Sequence, residues 1–263
     1  MIVQLVKSAH KASKEESHPK INMHRQIILY KALSGVVEVL GEYAVPFIKL
    51  HISNTVETLG ALIKDFKSLK SSKVSGLIGK KRPRIESGAA HMLESDSSDG
   101  QGHTMLKLLI KICENLTINF RSDSGAFIQS DTFELLAEPL VAELVALGSL
   151  GKHFSPFIED TVKPLVFEMV DRINSDALWI RFNNAILMKT RTEYPWTVRE
   201  AALKVVEHMF TKMGERYLVV LNDTLPFLSE SLEDEHQDVE LAAKCIVKRI
   251  ETLTGESIQD YLK

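Results

Sequence analysis

From Val198 the apolar residues Ala201, Ala202, Val205, Val206, Met209, Phe210 and Met213 follow at offsets of 3, 4, 7, 8, 11, 12 and 15. That spacing sets all of them on one face of a helix with 3.6 residues per turn. Pro195 stands where a first-turn proline is tolerated, because its missing N–H would have had no partner inside the helix, and Gly214 supplies a stop. Val239, Ala242, Ala243, Ile246, Ile250 and Leu253 trace a second stripe that stops at Gly255. Val198 and Val239, the Ala201-Ala202 and Ala242-Ala243 pairs, and the Gly-Glu steps at 214 and 255 are each 41 residues apart. A period of this size is that of HEAT and armadillo arrays, in which a helix buries its stripe against its partner and against the next repeat.

An upstream echo supports the reading. Gly41 to Ile48 and Gly151 to Ile158 share the pattern G-x-x-x-x-P-F-I, a helix stop followed by a restart at proline. The same periodicity predicts helices near 22–40, 45–69, 104–120, 131–147, 156–173, 176–190, 195–213, 224–232 and 237–253, with short end helices near 2–10 and 257–262. Pro139, Pro164 and Pro226 fall inside apolar patterns. Each removes an i to i−4 hydrogen bond, so kinks are expected there. Strand-like alternation is scarce, and the predicted fold is all-α: an α-α superhelix of the HEAT/armadillo-like solenoid type.

One segment breaks the pattern. Residues 71–103 hold Ser71-Ser72-Lys73, isolated glycines, the basic run Lys80-Lys81-Arg82-Pro83-Arg84 and the acidic, serine-rich stretch from Glu94 to Gly102, with no apolar stripe. This composition predicts a disordered charged insertion. The expected division is an N-terminal helical region at 1–70, the insertion at 71–103 and C-terminal HEAT-like repeats at 104–263.

Composition narrows the function classes. The 32 Lys and Arg residues against 35 Asp and Glu give a formal charge of −3, so the chain lacks the overall basic field of a dedicated nucleic-acid binder. Two distant cysteines, Cys113 and Cys245, argue against a disulfide framework or a cysteine-rich zinc site and favour a reducing compartment. Both lie in apolar surroundings and are expected in the core. No apolar run approaches the roughly 20 residues of a membrane span, and Lys7 breaks the opening apolar run too early for a signal peptide.

The nine histidines include no HExxH pair, and phosphate-loop, dinucleotide and nucleophile-elbow patterns are absent. No catalytic residue, cofactor, metal or small-molecule substrate is therefore expected. Lys80, Lys81, Arg82 and Arg84 form a candidate nuclear-localisation or phosphate-contact site, held extended by Pro83, against the alternative of a solvated loop. Trp179, Arg181, Lys189, Arg191 and Trp196 cluster around one helix and its following loop as a candidate partner or RNA patch. The competing reading, which weighs more, packs Trp179 into the inter-repeat core and Trp196 at a helix entry. Glu230, Glu233, Asp234, Glu235, Asp238 and Glu240 meet no Lys or Arg within 229–240 and read as a loop and first-turn carboxylate run. Arg199, directly after Val198, is read as a structural stitch between repeats.

The stretch from Ala177 through Trp179 to Arg191, then Val198 to Lys204, Gly214 to Leu221, Leu225 to Asp234 and Gly255 to Leu262, resembles the C-terminal region of the large HEAT-repeat subunit of the t-Utp (UtpA) subcomplex of the small-subunit processome. Arg25 to Phe47 and Met105 to Leu144 resemble it more loosely. The resemblance implies a non-catalytic nuclear and nucleolar scaffold. It would be partnered by WD-repeat t-Utp subunits and the pre-ribosomal ribonucleoprotein, with possible RNA contact, and would act in small-subunit rRNA maturation and RNA polymerase I transcription. The alternative is a generic HEAT adaptor of the transport or phosphatase-scaffold type. Members of that family are much longer, so the chain is expected to be a fragment, a short isoform or an incomplete gene model.

Overall fold

The computed structural model describes residues 4, 19–44, 52, 55–65, 99–123, 133, 144–145, 155–173 and 175–262. Among these residues regular structure is helical throughout, and no helix is long and apolar enough to cross a membrane. The fold is the all-α repeat architecture that the 41-residue period predicts. The chain divides into two compact units, residues 1–122 and 123–263.

In the first unit α1 (Pro19–Leu40) is followed by a 3-10 turn at Gly41–Ala44, by α2 (residues 55–65) and by α3 (Asp99–Ser122). Helix α1 buries Met23, Tyr30, Leu33 and Val37, and packs on α3, which buries Met105, Leu108, Leu109, Ile112, Leu116 and Phe120. Two asparagines serve this contact: the Asn115 amide donates to Ser34 Oγ at 3.1 Å, and the Asn119 amide donates to Asn115 Oδ1 at 3.1 Å. Buried Tyr30 hydrogen-bonds Thr55 and Thr58, which ties α1 to α2, and burial pushes its phenol above the ordinary value.

Helix α3 begins at Asp99, ahead of the start expected at 104, so the last five residues of the stretch assigned to the insertion are helical. Extending a helix already anchored by a packed stripe costs only one residue's ordering per added hydrogen bond, so a polar, glycine-containing end can be carried along. Helix α3 packs on α1 and lies in the first compact unit.

In the second unit a helical turn at Ser155–Phe157 and a π-helical turn at Ile158–Val162 lead into α4 (Lys163–Asp171). The widened turn accounts for the irregularity expected at Pro164. Proline has no N–H to bond the carbonyl four residues earlier, and a π turn absorbs the misfit. Then come α5 (Asp176–Leu187), α6 (Trp196–Met213), a 3-10 segment at Gly214–Val220, α7 (Leu221–Leu232, with Pro226 inside) and α8 (Gln237–Thr254). Helices α5 and α6 form one pair and α7 and α8 the next, with α6 against α8 and α5 against α7. Gly214 and Gly255 end α6 and α8 at φ of +60° and +73°, the region that glycine enters without a Cβ clash, so the two stops predicted 41 residues apart are realised in the backbone.

Both stripes face the core as expected: Val198, Ala202, Val205, Val206, Met209 and Phe210 are buried on α6, and Val239, Ala243, Ile246 and Ile250 on α8. Of the helix expected at 131–147, residues 133, 144 and 145 are described and are helical. Pro139, most of 2–10 and the insertion before Asp99 lie outside the described residues.

Candidate functional site

The side chains with functional potential lie where one helical pair meets the next. Arg199, in the first turn of α6, donates through Nη2 to Asp234 Oδ1 at 2.8 Å and through Nη1 to the Tyr194 carbonyl at 2.7 Å. Asp234 sits in the loop between α7 and α8, and the same oxygen accepts the His236 N–H at 2.9 Å. Both charged side chains are almost fully buried, at 6% and 3% relative exposure. The pair therefore latches the α5–α6 pair to the α7–α8 pair. This is the stitch expected of Arg199, and it supplies Asp234 of the acidic run with a cation from outside 229–240. Glu240, in the first turn of α8, pairs with Lys244.

A second contact crosses the same boundary. The Asn183 amide on α5 donates to Thr224 Oγ1 on α7 at 2.8 Å, Tyr217 donates to Asn183 Oδ1 at 3.3 Å, and Thr224 donates onward to the Val220 carbonyl at 2.8 Å. All three side chains are fully buried, and burial pushes the Tyr217 phenol well above its ordinary value. Sequence reasoning overlooked this network, although Asn183 and Thr224 are themselves separated by the repeat period of 41.

The five residues of the candidate patch are not brought together as one surface. Trp179 is 3% exposed, donates its indole N–H to the Val170 carbonyl at 3.2 Å and lies beside Tyr217. It is a core side chain, as the packing reading has it, and the cation over its ring is Arg216 at 5.4 Å, itself paired with Asp171. Arg181 is exposed on α5. Lys189 lies over the Tyr194 ring at 4.6 Å and donates to its hydroxyl at 3.1 Å, and Arg191 lies over Phe227 at 5.4 Å. Trp196 stacks on His236 with centroids 3.8 Å apart and planes 7° from parallel, which places it at the entry to α6 against the next repeat's loop. The cations after α5 are thus folded onto aromatic faces of the same unit.

Lys80, Lys81, Arg82 and Arg84 lie outside the described residues. Among the described residues no group of three His, Cys, Asp or Glu side chains is placed to hold a metal ion. Cys113 is buried and its thiol is pushed far up by desolvation, so it packs as a small apolar side chain. Cys245 is exposed, contrary to the core position expected of it. The inward stripe of α8 runs through Ala243, Ile246, Val247 and Ile250, and position 245 falls with exposed Leu241 and Lys248 on the opposite side.

Comparison with known proteins places this architecture among relatives of like sequence. No family model matches the chain. It is 36% identical over 145 residues to the Dictyostelium discoideum HEAT repeat-containing protein 1 homolog and 34% identical over 142 residues to the Homo sapiens HEAT repeat-containing protein 1. Each alignment covers 54% of this chain. The chain is thus similar in sequence to HEAT repeat-containing protein 1 proteins over about half of its length. It is also 28% identical over 181 residues, 68% of its length, to the Pyricularia oryzae U3 small nucleolar RNA-associated protein 10. The matched stretches span only 6%, 7% and 10% of these three relatives. The inter-pair latches of Arg199 and Asn183 thus lie in a chain that is similar to a small part of much longer proteins.

Proposed function

We propose that the chain is a non-catalytic HEAT-repeat scaffold of ribosome biogenesis, which supports small-subunit processome assembly, maturation of the small-subunit rRNA and rRNA transcription by RNA polymerase I in the nucleolus. The observation that carries the reading is the similarity to a U3 small nucleolar RNA-associated protein over 68% of the chain. The geometry supports the scaffold part: the buried side chains of Arg199, Asn183 and Thr224 hold one helical pair to the next, and the cations after α5 lie on neighbouring aromatic rings. Such an array presents its partners with a rigid stacked surface instead of a reaction centre. Its partners are WD-repeat t-Utp subunits and the pre-ribosomal ribonucleoprotein, and Lys80 to Arg84 are the segment proposed for nuclear import or phosphate contact.

The test is affinity capture of the tagged chain from the cells that make it, with RNA and protein recovered together. Enrichment of U3 small nucleolar RNA with WD-repeat subunits is expected. Recovery of neither, together with exclusion of the chain from nucleoli, would sink the reading and favour an adaptor of another pathway.

A further inference from the structure

Helix α1 turns one stripe inward, through Met23, Tyr30, Leu33 and Val37, and carries a second apolar stripe on the opposite side. Ile28, Ala32, Gly35 and Val39 recur at offsets of 4, 7 and 11 and are all exposed, Ile28 at 67% and Val39 at 83%. The two large side chains, eleven residues apart on one face, bracket a stretch of small residues between them. The centre of the stripe is low: Ala32 is small, and nothing lies within 4 Å of where a Cβ on Gly35 would stand.

The charges beside the stripe say what fits it. Lys31 and Glu38 are both exposed and seven residues apart, two turns along the same edge of the helix. Rotation of α1 end for end about an axis through its midpoint, close to position 34, carries Ile28 onto the position of Val39 and Ala32 onto that of Gly35. The same rotation carries Lys31 to within two residues of the Glu38 position, about 3 Å along the axis, a gap these long side chains span. An antiparallel second copy would therefore set apolar side chains against apolar ones, small residues against small ones at the crossing, and each lysine beside the other chain's glutamate. A two-fold interface requires such a surface, complementary to itself.

We infer that the outer face of α1 is a self-association surface at which two copies of this chain pack antiparallel, with Lys31 of each beside Glu38 of the other. At a rise of about 1.5 Å per residue the stripe from Ile28 to Val39 is only about 16 Å long. The contact is smaller than the roughly 800 Å² per partner of a standard stable interface, so the dimer is weak and reversible. The inference does not depend on the ribosomal reading.

Sedimentation velocity on the full chain tests it, at concentrations up to the order of 100 µM, where contacts of about 5 to 6 kcal/mol are visible. Wild type is expected to show a reversible monomer–dimer equilibrium. Lys31→Glu and Glu38→Lys should each weaken it about tenfold or more, because either change sets two like-charge pairs across the contact. An equimolar mixture of the two variants should recover a dimer, since every pair is then opposite in sign, and the double variant K31E/E38K should dimerise alone. Both substituted positions, Lys31 and Glu38, are exposed, and unchanged far-UV circular dichroism confirms that each variant is folded. A wild type that stays monomeric overturns the inference, as does a dimer indifferent to both reversals. Variants that fail to recover a dimer when mixed overturn it too, and leave the face to a helix of another protein.

Discussion

Removing one side of the Arg199–Asp234 pair tests the inter-repeat latch directly. In Asp234→Ala the guanidinium stays buried, with the Tyr194 carbonyl as the acceptor left from its present pair, and the His236 N–H loses its acceptor. An uncompensated buried charge of this kind costs about 3 to 5 kcal/mol, against less than about 1 kcal/mol for an exposed pair. At 6% and 3% exposure the pair belongs to the first class. Arg199→Met combined with Asp234→Asn removes both charges and keeps an oxygen for the His236 N–H, so the double variant should cost less than either single change. The coupling energy should reach about 2 kcal/mol or more. Urea unfolding followed by tryptophan fluorescence isolates the effect, because both tryptophans of the chain, Trp179 and Trp196, lie in the second unit. A single variant that costs under about 1 kcal/mol, or a double variant that costs the sum of the singles, would refute the latch.

Three further outcomes are expected. Asn183→Leu strands the buried Tyr217 hydroxyl and removes one partner of Thr224, and should destabilise the second unit by about 1 to 3 kcal/mol in the same urea assay, with Tyr217→Phe costing less because its bond is the longer one, at 3.3 Å. A thiol-reactive dye should modify Cys245 at once in the native chain and Cys113 only on unfolding, as peptide mapping of the labelled protein would report. Stability should fall on the alkaline side: Cys113 and Tyr217 keep their protons when folded but release them near their ordinary values of 9.0 and 10.0 when unfolded, so the unfolded state gains as pH rises through that range, and urea midpoints that stay flat from pH 8 to 10.5 would contradict the burial of both groups.

The repeat was legible because its signal is local and doubled. Two stripes and two glycine stops at one spacing fix helices, ends and stacking together, and φ at Gly214 and Gly255 bears out the stops. What escaped was whatever depends on distant partners. Asp234 sits in a stretch without lysine or arginine, yet its arginine lies 35 residues upstream. The grouping of Trp179 with Arg181, Lys189 and Arg191 followed nearness in sequence, while the fold turned the indole inward under Arg216 and laid the other two cations on Tyr194 and Phe227. Cys245 was misplaced for a different reason: two alanines before it suggested a packed surface, but the helical angle carries position 245 away from the stripe through Ala243 and Ile246.

The apolar and polar parts of the repeat follow different rules. The apolar positions at Val198, Ala202, Val205, Val206 and Met209 translate by 41 residues onto buried Val239, Ala243, Ile246, Val247 and Ile250 of α8, because any side chain of suitable size satisfies a non-directional driving force. The polar latch does not translate: where α6 carries Arg199, the matching position on α8 holds Glu240, bonded within its own helix to Lys244. A buried ion pair needs its exact partner and is costly when half made, so it appears only where a loop delivers a carboxylate to meet it. The consequence is mechanical. The Arg199 pair and the Asn183 network both cross from the α5–α6 pair to the α7–α8 pair, one at the loop end and one in the middle of the helices, so neither pair can open without breaking buried polar contacts. Nearest-neighbour coupling of this kind should make the two pairs unfold as one unit.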